Sequence, residues 1–428
     1  MEELAHRRVA QWQSASKYTE EVAAFESCPA YQNSPGLLFL SHCVPDPPDK
    51  GEKIRAHHEL MCCTRSWPVH LVCFARTERE VEQAQALRSR CASVYVELLR
   101  KPLALSRAAL RFGIGSSLTM SFYFSPRMKE HIRGLMLREK IFGTLAYSSA
   151  MGQYAPDDLP MVLDLVDVDS EKWMQFAETR RLRPLYRMEG RRLRVEEIRQ
   201  QKRASRTLVT TESEARLLST FVGEHAAEWM ENGVDSVFFD PARVTAAPVS
   251  GSQPPVVFVG AMDYFPNADA VCWFAENVFA EWKRRSPEAA FWIVGRNPTA
   301  QVRQLAKTEG IQVTAEVPDV RPFLAAARIV VAPLRIARGI QNKVLEALAM
   351  GKEVLVSPEV AGCFGRDLPV GLTICKTPAD YIEAMSSRTG AASDEMKIRA
   401  AVCQRFSWEA NLQTLLAAIE QLRTGNLS

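Results

Sequence analysis

Residues Ile329–Gly351 read IVVAPLRIARGIQNKVLEALAMG. An uninterrupted apolar run, Ile329–Pro333, passes through a glycine-containing turn into a helix-period segment, Asn342–Met350. That is the pattern of a buried parallel strand feeding a helix. Free backbone N–H groups at such a helix start favour an anion, typically a diphosphate. Arg335, Arg338 and Lys343 add positive charge there, and the backbone of Gly339, Ile340 and Gln341 supplies the amides. Glu346 follows one turn into the helix, where an ionised carboxylate offers two acceptor oxygens to a pair of ribose hydroxyls. A capped surface helix with a solvated charge cluster would carry the same residues, so the segment alone leaves both readings open.

The alternation of strand and helix extends in both directions. Upstream, Val256–Gly260, Phe291–Gly295 and Val313 read as strands; downstream, so does Val354–Ser357. Helix-period segments lie between them at Asp269–Arg284, Thr299–Glu309, Arg321–Ala327 and Pro378–Met385, and amphipathic helices close the chain in Asp394–Leu422. A Pro-, Ala- and Ser-rich stretch, DPARVTAAPVSGSQPP at Asp240–Pro255, reads as a linker. Before it a second series of apolar runs occurs at Gly36–His42, Val69–Phe74, Ser93–Leu98, Thr144–Ser148, Met161–Val166 and Leu208–Thr210. Charged helical segments such as Arg76–Cys91 and Glu171–Lys202 separate these runs. The expected fold is α/β, with two Rossmann-like, doubly wound parallel-sheet domains facing a central ligand cleft. The boundaries read as an extension over 1–34, a first domain over 35–240, a linker over 241–255 and a second domain over 256–405. A final helix, 406–428, returns to the first domain.

With 428 residues, 47% hydrophobic and 24% charged, the chain has material for two cores. A net charge of +3 gives no reason to expect a nucleic-acid partner. None of the ten cysteines forms a CxxC pair and no histidine follows His225, so no metal site is expected. Free thiols in apolar runs suit a reducing, cytoplasmic compartment. Met1–Ala10 is charged and lacks the apolar core of a secretory signal. No uncharged apolar stretch reaches the ~18 residues of a membrane-spanning helix.

Two strings carry a family resemblance. LEALAMGKEVLVS, Leu345–Ser357, resembles the carboxyl-terminal signature of the family-4 retaining glycosyltransferases, and NGVDSVFFDP, Asn232–Pro241, resembles the element that precedes their donor domain. The resemblance implies the GT-B fold, a nucleotide-diphosphate sugar as donor substrate, no obligatory cofactor or metal, and contact between Glu346 and the nucleotide ribose. The family's first glutamate, eight positions earlier, falls on Arg338, which puts a cation in the expected place of a carboxylate near the donor sugar. After Gly260, where many relatives carry Arg and then Lys, this chain has Ala261 and Pro266–Asn267. Arg296 and Lys343 are the cations expected to replace them. Six ordered strings are similar to the sugar transferases encoded with bacterial exosortase (PEP-CTERM) systems: LFLSHCVPDPPDKGEKIRAHH, LDLVDVDSEKW, FVGAMDYFPNADAVCWF, IVGRNP, VPDVRPFL and APLRIARGIQNKVLEALAMG. That likeness runs from about Leu37 to Leu422.

In the first domain the resemblance places a glycine-rich phosphate loop at Lys50–Gly51, of which Gly51 alone remains. Lys53, Arg55 and His57 follow on a helix whose start would otherwise simply be solvated. LDLVDVDSEKW lacks the histidine by which many relatives touch the donor sugar; Asp167 is the positional match, while Asp169 and Ser170 suit a helix cap. Leu99–Lys140 holds nine Lys or Arg and two acidic residues, interleaved with Leu98, Leu99, Leu103, Leu105, Leu110, Phe112 and Phe122–Phe124. This mixture is compatible with peripheral contact at the anionic inner face of the cytoplasmic membrane, or with a helix pair that has a basic solvent face.

The expected activity is sugar transfer from a nucleotide sugar to a polysaccharide or lipid-linked glycan in exopolysaccharide biosynthesis. Asp167 and Arg338 are the catalytic candidates. The donor-binding candidates are Gly51, Gly260, Arg296, Gly339, Ile340, Gln341, Lys343 and Glu346. The alternatives are a GT-B binding scaffold without catalysis and a nucleotide-sugar isomerase.

Overall fold

The computed structural model describes residues 34–49, 51–179, 182–223, 227–249, 251–387 and 392–425. The run GLLFLS, Gly36–Ser41, is buried along its whole length and forms strand β1. Around it lie β2 (Val69–Ala75), β3 (Ser93–Leu98), β4 (Ile141–Tyr147), β5 (Met161–Val166), β6 (Arg206–Val209) and β7 (Glu228–Trp229), all parallel, in the order β3-β2-β1-β4-β5-β6-β7. A second parallel sheet takes β8 (Val256–Val259), β9 (Phe291–Val294), β10 (Ile311–Val313), β11 (Ile329–Ala332), β12 (Val354–Val356) and β13 (Leu372–Ile374) in the order β10-β9-β8-β11-β12-β13. Continuous apolar runs such as VVFV and IVVA are buried from end to end because helices cover both faces of a parallel sheet. The α/β architecture with two doubly wound Rossmann-like sheets is therefore the one the sequence predicts.

Each sheet has its own core. Leu38, Leu40, Phe74, Ala146 and Leu163 belong to one; Phe258, Phe274, Phe291, Val331 and Leu348 belong to the other. The chain divides between Glu231 and Asn232, and again between Trp408 and Glu409. The first division precedes the Pro- and Ser-rich stretch 241–255 for a physical reason. Arg399 donates to the carbonyls of Ser236, Phe239 and Ala349, and Val234 N donates to Phe406 O, so residues from Asn232 onward are sewn into the second core. The last helix, Gln413–Thr424, packs on β4, with Leu422 against Gly143 and Gln421 accepting from Arg206 Nε at 2.9 Å.

The charged segment Glu171–Lys202 is two helices rather than one. Asp169–Thr179 and Arg183–Arg203 are separate helices; Leu182, with φ of -87° and ψ of 45°, precedes the second, and Pro184 occupies its first turn, where the missing N–H costs nothing. Strands β7 and β13 have no counterpart among the expected strands. β7 has only two residues, and β13 (LTI) is partly exposed, so neither gives a buried apolar run. The extension 1–33, and Lys50 of the expected phosphate loop, lie outside the described residues.

Candidate functional site

In the second sheet the strand order reverses between β8 and β11, and in such sheets ligands bind beyond the carboxyl ends of the strands at that reversal. Three segments meet there. Gly260 ends β8 and its N–H donates to Val294 O of β9 at 3.0 Å. Gly295 follows β9 with φ of 154°, and a Cβ on it would stand 1.7 Å from Gly260 O; the two backbones approach this closely only because Gly295 lacks a side chain. The third segment is the turn after β11, where Gly339 has φ of 61° and leads into the helix Asn342–Ala349. The Gln341 side chain donates back to the carbonyls of Arg338 and Gly339 at 3.0 and 3.3 Å, which fixes the turn without using the helix's own first N–H groups.

Lys343 Nζ reaches out of that helix across the end of β8. It donates to Asn267 Oδ1 at 2.5 Å, sits 4.5 Å above the Phe258 ring, and would be 3.0 Å from a Cβ placed on Gly260. Asn267 Nδ2 in turn donates to Ala261 O at 2.8 Å, so the carboxamide holds its orientation from both ends. Burial pulls the Lys343 ammonium down to about 7, with Glu346 only partly opposing the shift. Burial likewise lifts the Glu346 carboxyl to about 7 against the pull of Lys343. Lys343 and Glu346, both shifted toward neutrality and one helical turn apart, lie beside Gly260, whose missing side chain leaves the space that Asn267 and Lys343 fill.

Arg296 follows Gly295, and its carbonyl accepts from Met262 N at 2.9 Å. Asn297 (φ 53°) donates to Asp263 Oδ2 at 3.0 Å, so the loops after β8 and β9 are tied together. Arg335, expected among the anion-binding cations, is instead engaged by Asp269 in a two-point ion pair that anchors the turn to the helix Phe265–Phe274. Gly260, Arg296, Arg338, Gly339, Ile340, Gln341, Lys343 and Glu346 thus belong to the unit built on the second sheet, and Gly51 and Asp167 to the other.

Gly51 is exposed at the start of the helix Gly51–Ser66, which follows β1. The basic side chains after it have partners inside the same unit. Lys53 is buried against Glu80 at 2.9 Å. Arg55 is buried between Asp164 (2.7 Å) and Glu59 (2.9 Å) and donates to Met230 O at 2.6 Å. His57 lies 3.1 Å from Asp46. Asp167 stands at the end of β5, just beyond Val166, a β-branched residue with φ of 67°. That left-handed backbone is strained, and the 2.8 Å hydrogen bond from Val166 N to Asp164 Oδ1 holds it. Asp167 accepts from Thr210 Oγ1 at 2.8 Å; burial, with Glu214 nearby, lifts its carboxyl to about 6.

One residue at the first sheet's reversal, between β1 and β4, has no role in the sequence reading. His42 directly follows β1 and stacks on Tyr147 of β4 with centroids 5.5 Å apart. Its Nε2 is 3.7 Å from Glu52 Oε2, and its Nδ1 is buried without a hydrogen-bond partner among the described residues. Arg76 grips both oxygens of Glu52 at 2.8 and 3.1 Å and reaches Tyr123 Oη at 3.0 Å. Burial alone would raise the Glu52 carboxyl, but His42 and Arg76 hold it well below the usual range. The available signal was the polar residue closing the first apolar run, GLLFLSH.

Two parallel Rossmann-like sheets, with a glycine, a lysine and a carboxylate gathered at the second reversal, define the GT-B class of fold. Within it, the family model described as glycosyl transferases group 1 matches residues 253–388, the stretch that holds the Gly260–Lys343–Glu346 cluster. No curated protein matches the sequence. Among solved structures, the chain is similar to sucrose-phosphate synthase from Thermosynechococcus elongatus (TM-score 0.64, 14% identity, covering 91% of this chain and 100% of that one). It is also similar to HepE from Anabaena in complex with UDP and glucose (0.62, 13%, 90% and 100%) and to a glycosyltransferase from Rickettsia africae (0.58, 12%, 91% and 99%). At these identities the likeness is one of fold.

Proposed function

We propose that the protein is a glycosyltransferase that moves a sugar, with retention, from a nucleotide-diphosphate sugar onto a glycan or lipid-linked glycan precursor of an exopolysaccharide. It would work in the cytoplasm with peripheral contact at the inner membrane face, as a member of the exosortase-associated subgroup. The observation that carries this reading is Lys343 Nζ, held by Asn267 over Gly260 at the reversal of the second sheet, with Glu346 one turn along. The group 1 family match over the same stretch supports it, as does a fold neighbour crystallised with UDP and glucose.

In this reading Lys343, Arg296 and the amides of Gly339, Ile340 and Gln341 meet the diphosphate, and Glu346 takes the ribose hydroxyls. Charge that builds on the leaving diphosphate is stabilised by groups already in place, usually the largest catalytic contribution. Arg338 stands where relatives carry a carboxylate and adds a cation near the donor sugar. Asp167, lifted to about 6, stays mostly ionised at neutrality and serves the sugar or the acceptor hydroxyl. Gly51 permits close backbone approach in the other unit.

Calorimetry with UDP and UDP-sugars tests the site. Loss of one charge-assisted hydrogen-bonding group costs about 1.5–3 kcal/mol, so Glu346→Ala should weaken nucleotide binding about 10- to 100-fold. Unchanged affinity removes Glu346 from the role. Ala261, in place of the relatives' arginine, favours one second reading, a scaffold that binds the nucleotide sugar without catalysis; donor hydrolysis or sugar transfer by the purified chain would exclude it.

A further inference from the structure

The carboxyl end of the first sheet gathers three polar atoms at its reversal. Ser41 of β1 is in register with Tyr147 of β4, so His42 and Ser148 follow side by side. The turn Ser149–Gly152 then packs against β1. His42 Nδ1, Ser148 Oγ and Ser149 Oγ are buried atoms without a hydrogen-bond partner among the described residues. A buried polar group left unpaired costs free energy until something bonds it.

Ser148 is also strained. Its φ of 79° and ψ of 153° lie in a region essentially reserved for glycine. Asp164 of β5 holds it there, because Asp164 O accepts from Ser148 N at 2.7 Å. The same residue fixes the strained Val166 through Oδ1 and takes Arg55 through Oδ2. Strain enforced in this way is a mark of functional positions, where the backbone is bent to aim a side chain.

The charges of this sheet end are committed. Arg76 spans both oxygens of Glu52, Arg55 lies between Asp164 and Glu59, and Lys53 meets Glu80. Glu52 faces His42 Nε2, which favours the ring proton on that nitrogen and leaves a lone pair on Nδ1. Tyr147 steadies the ring by stacking and is itself anchored through Oη to Glu52 O at 2.9 Å. What remains on offer is one nitrogen acceptor and two hydroxyls, beside cations that already have anionic partners.

We propose that this group holds the sugar ring of the acceptor. His42 Nδ1 accepts from the hydroxyl that receives the transferred sugar, and Ser148 and Ser149 bond a neighbouring hydroxyl. The acceptor end is an uncharged sugar. A phosphate or a uronate would meet the Glu52 carboxylate, with Arg76 already taken by it. Ordered water would satisfy the same three atoms, but water gives no reason to hold Ser148 in a glycine conformation. The inference rests on the sugar transfer proposed above and names its acceptor class.

Nitrogen NMR of the histidine rings in the full chain tests it. The probes are methyl glucoside, methyl galactoside and methyl N-acetylglucosaminide, with methyl glucuronide as the charged control. At least one neutral glycoside should move the unprotonated ring nitrogen of His42 upfield, and the glucuronide should leave it in place. That signal is identified by its loss in His42→Phe, which keeps the stack on Tyr147; His42→Gln serves if that variant fails to fold. Ser148→Gly should weaken the same glycoside about three- to tenfold, the worth of one hydrogen bond. It should also raise the melting temperature, because glycine adopts this backbone without strain. No response to any neutral glycoside, or an equal response to the glucuronide, would overturn the proposal. So would a Ser148→Gly protein that binds as well as wild type or melts lower. UDP calorimetry on the same samples reads the donor site, so either idea can fail alone.

Discussion

Lys343 and Glu346 are opposite in charge yet shifted to the same point, about 7, by the same cause, burial. Their consequences run in opposite directions along the pH axis. Lys343, depressed, carries its charge below about 7 and loses it above; Glu346, raised, is ionised above about 7 and neutral below. On the proposed assignment, capture of a diphosphate by Lys343 weakens as pH rises through neutrality, and the grip of Glu346 on ribose weakens as pH falls through it. Affinity for a nucleoside diphosphate is expected to peak near neutral pH. Binding above the peak should take up a proton, read as a difference in calorimetric heat between buffers of different ionisation enthalpy. Lys343→Met should remove the alkaline limb and cost about 10- to 100-fold in affinity, the worth of a charge-assisted contact. Asn267→Leu deletes the acceptor that aims Lys343 and should cost less while keeping that limb. An alkaline limb of the same shape in wild type and Lys343→Met would remove Lys343 from the diphosphate role.

The helix Gly51–Ser66 is fastened to its sheet by one buried side chain, Arg55, shared among Asp164 of β5, Glu59 and Met230 O beside β7. Removing one partner from a buried charge cluster costs about 3–5 kcal/mol. Arg55→Ala should lower unfolding free energy by that order in urea titrations, and Arg55→Lys, which keeps the charge but not the fork, should recover only part. Legibility in the sequence follows the same physics. VVFV and IVVA announce themselves as buried strands because every residue is apolar, and the turn at Arg338–Gln341 is marked by its glycine. The destination of a long polar side chain carries no such mark. Lys53, Arg55 and Arg335 look like ligand cations in one dimension. In three they are spent on Glu80, Asp164 and Asp269, partners 27, 109 and 66 positions away in the chain. His42 carries no mark for the converse reason: it is a single polar residue whose setting depends on Tyr147, Glu52 and Arg76 from other elements.

At the scale of the whole chain, two apolar cores belong to two sheets, and the chain passes between the units twice, at Glu231–Asn232 and at Trp408–Glu409. Chains with more than one core need not unfold as one cooperative block. The residues proposed to hold the donor, after β8, β9 and β11, all lie in the unit Asn232–Trp408, so a nucleotide that binds them stabilises that unit's native state and not its unfolded one. Ligand at about a hundred times its dissociation constant adds about 2.7 kcal/mol. For a unit of this size each kcal/mol moves the midpoint by about 2–4 °C, so saturating UDP should raise one calorimetric transition by on the order of 5–10 °C. If two transitions are resolved, Glu346→Ala should reduce the shift of that transition and leave the other where it was. A rise carried by the transition of the other unit, as identified by the destabilising Arg55→Ala substitution, would place nucleotide binding on the Gly51 and Asp167 side and overturn the assignment of the diphosphate to Lys343.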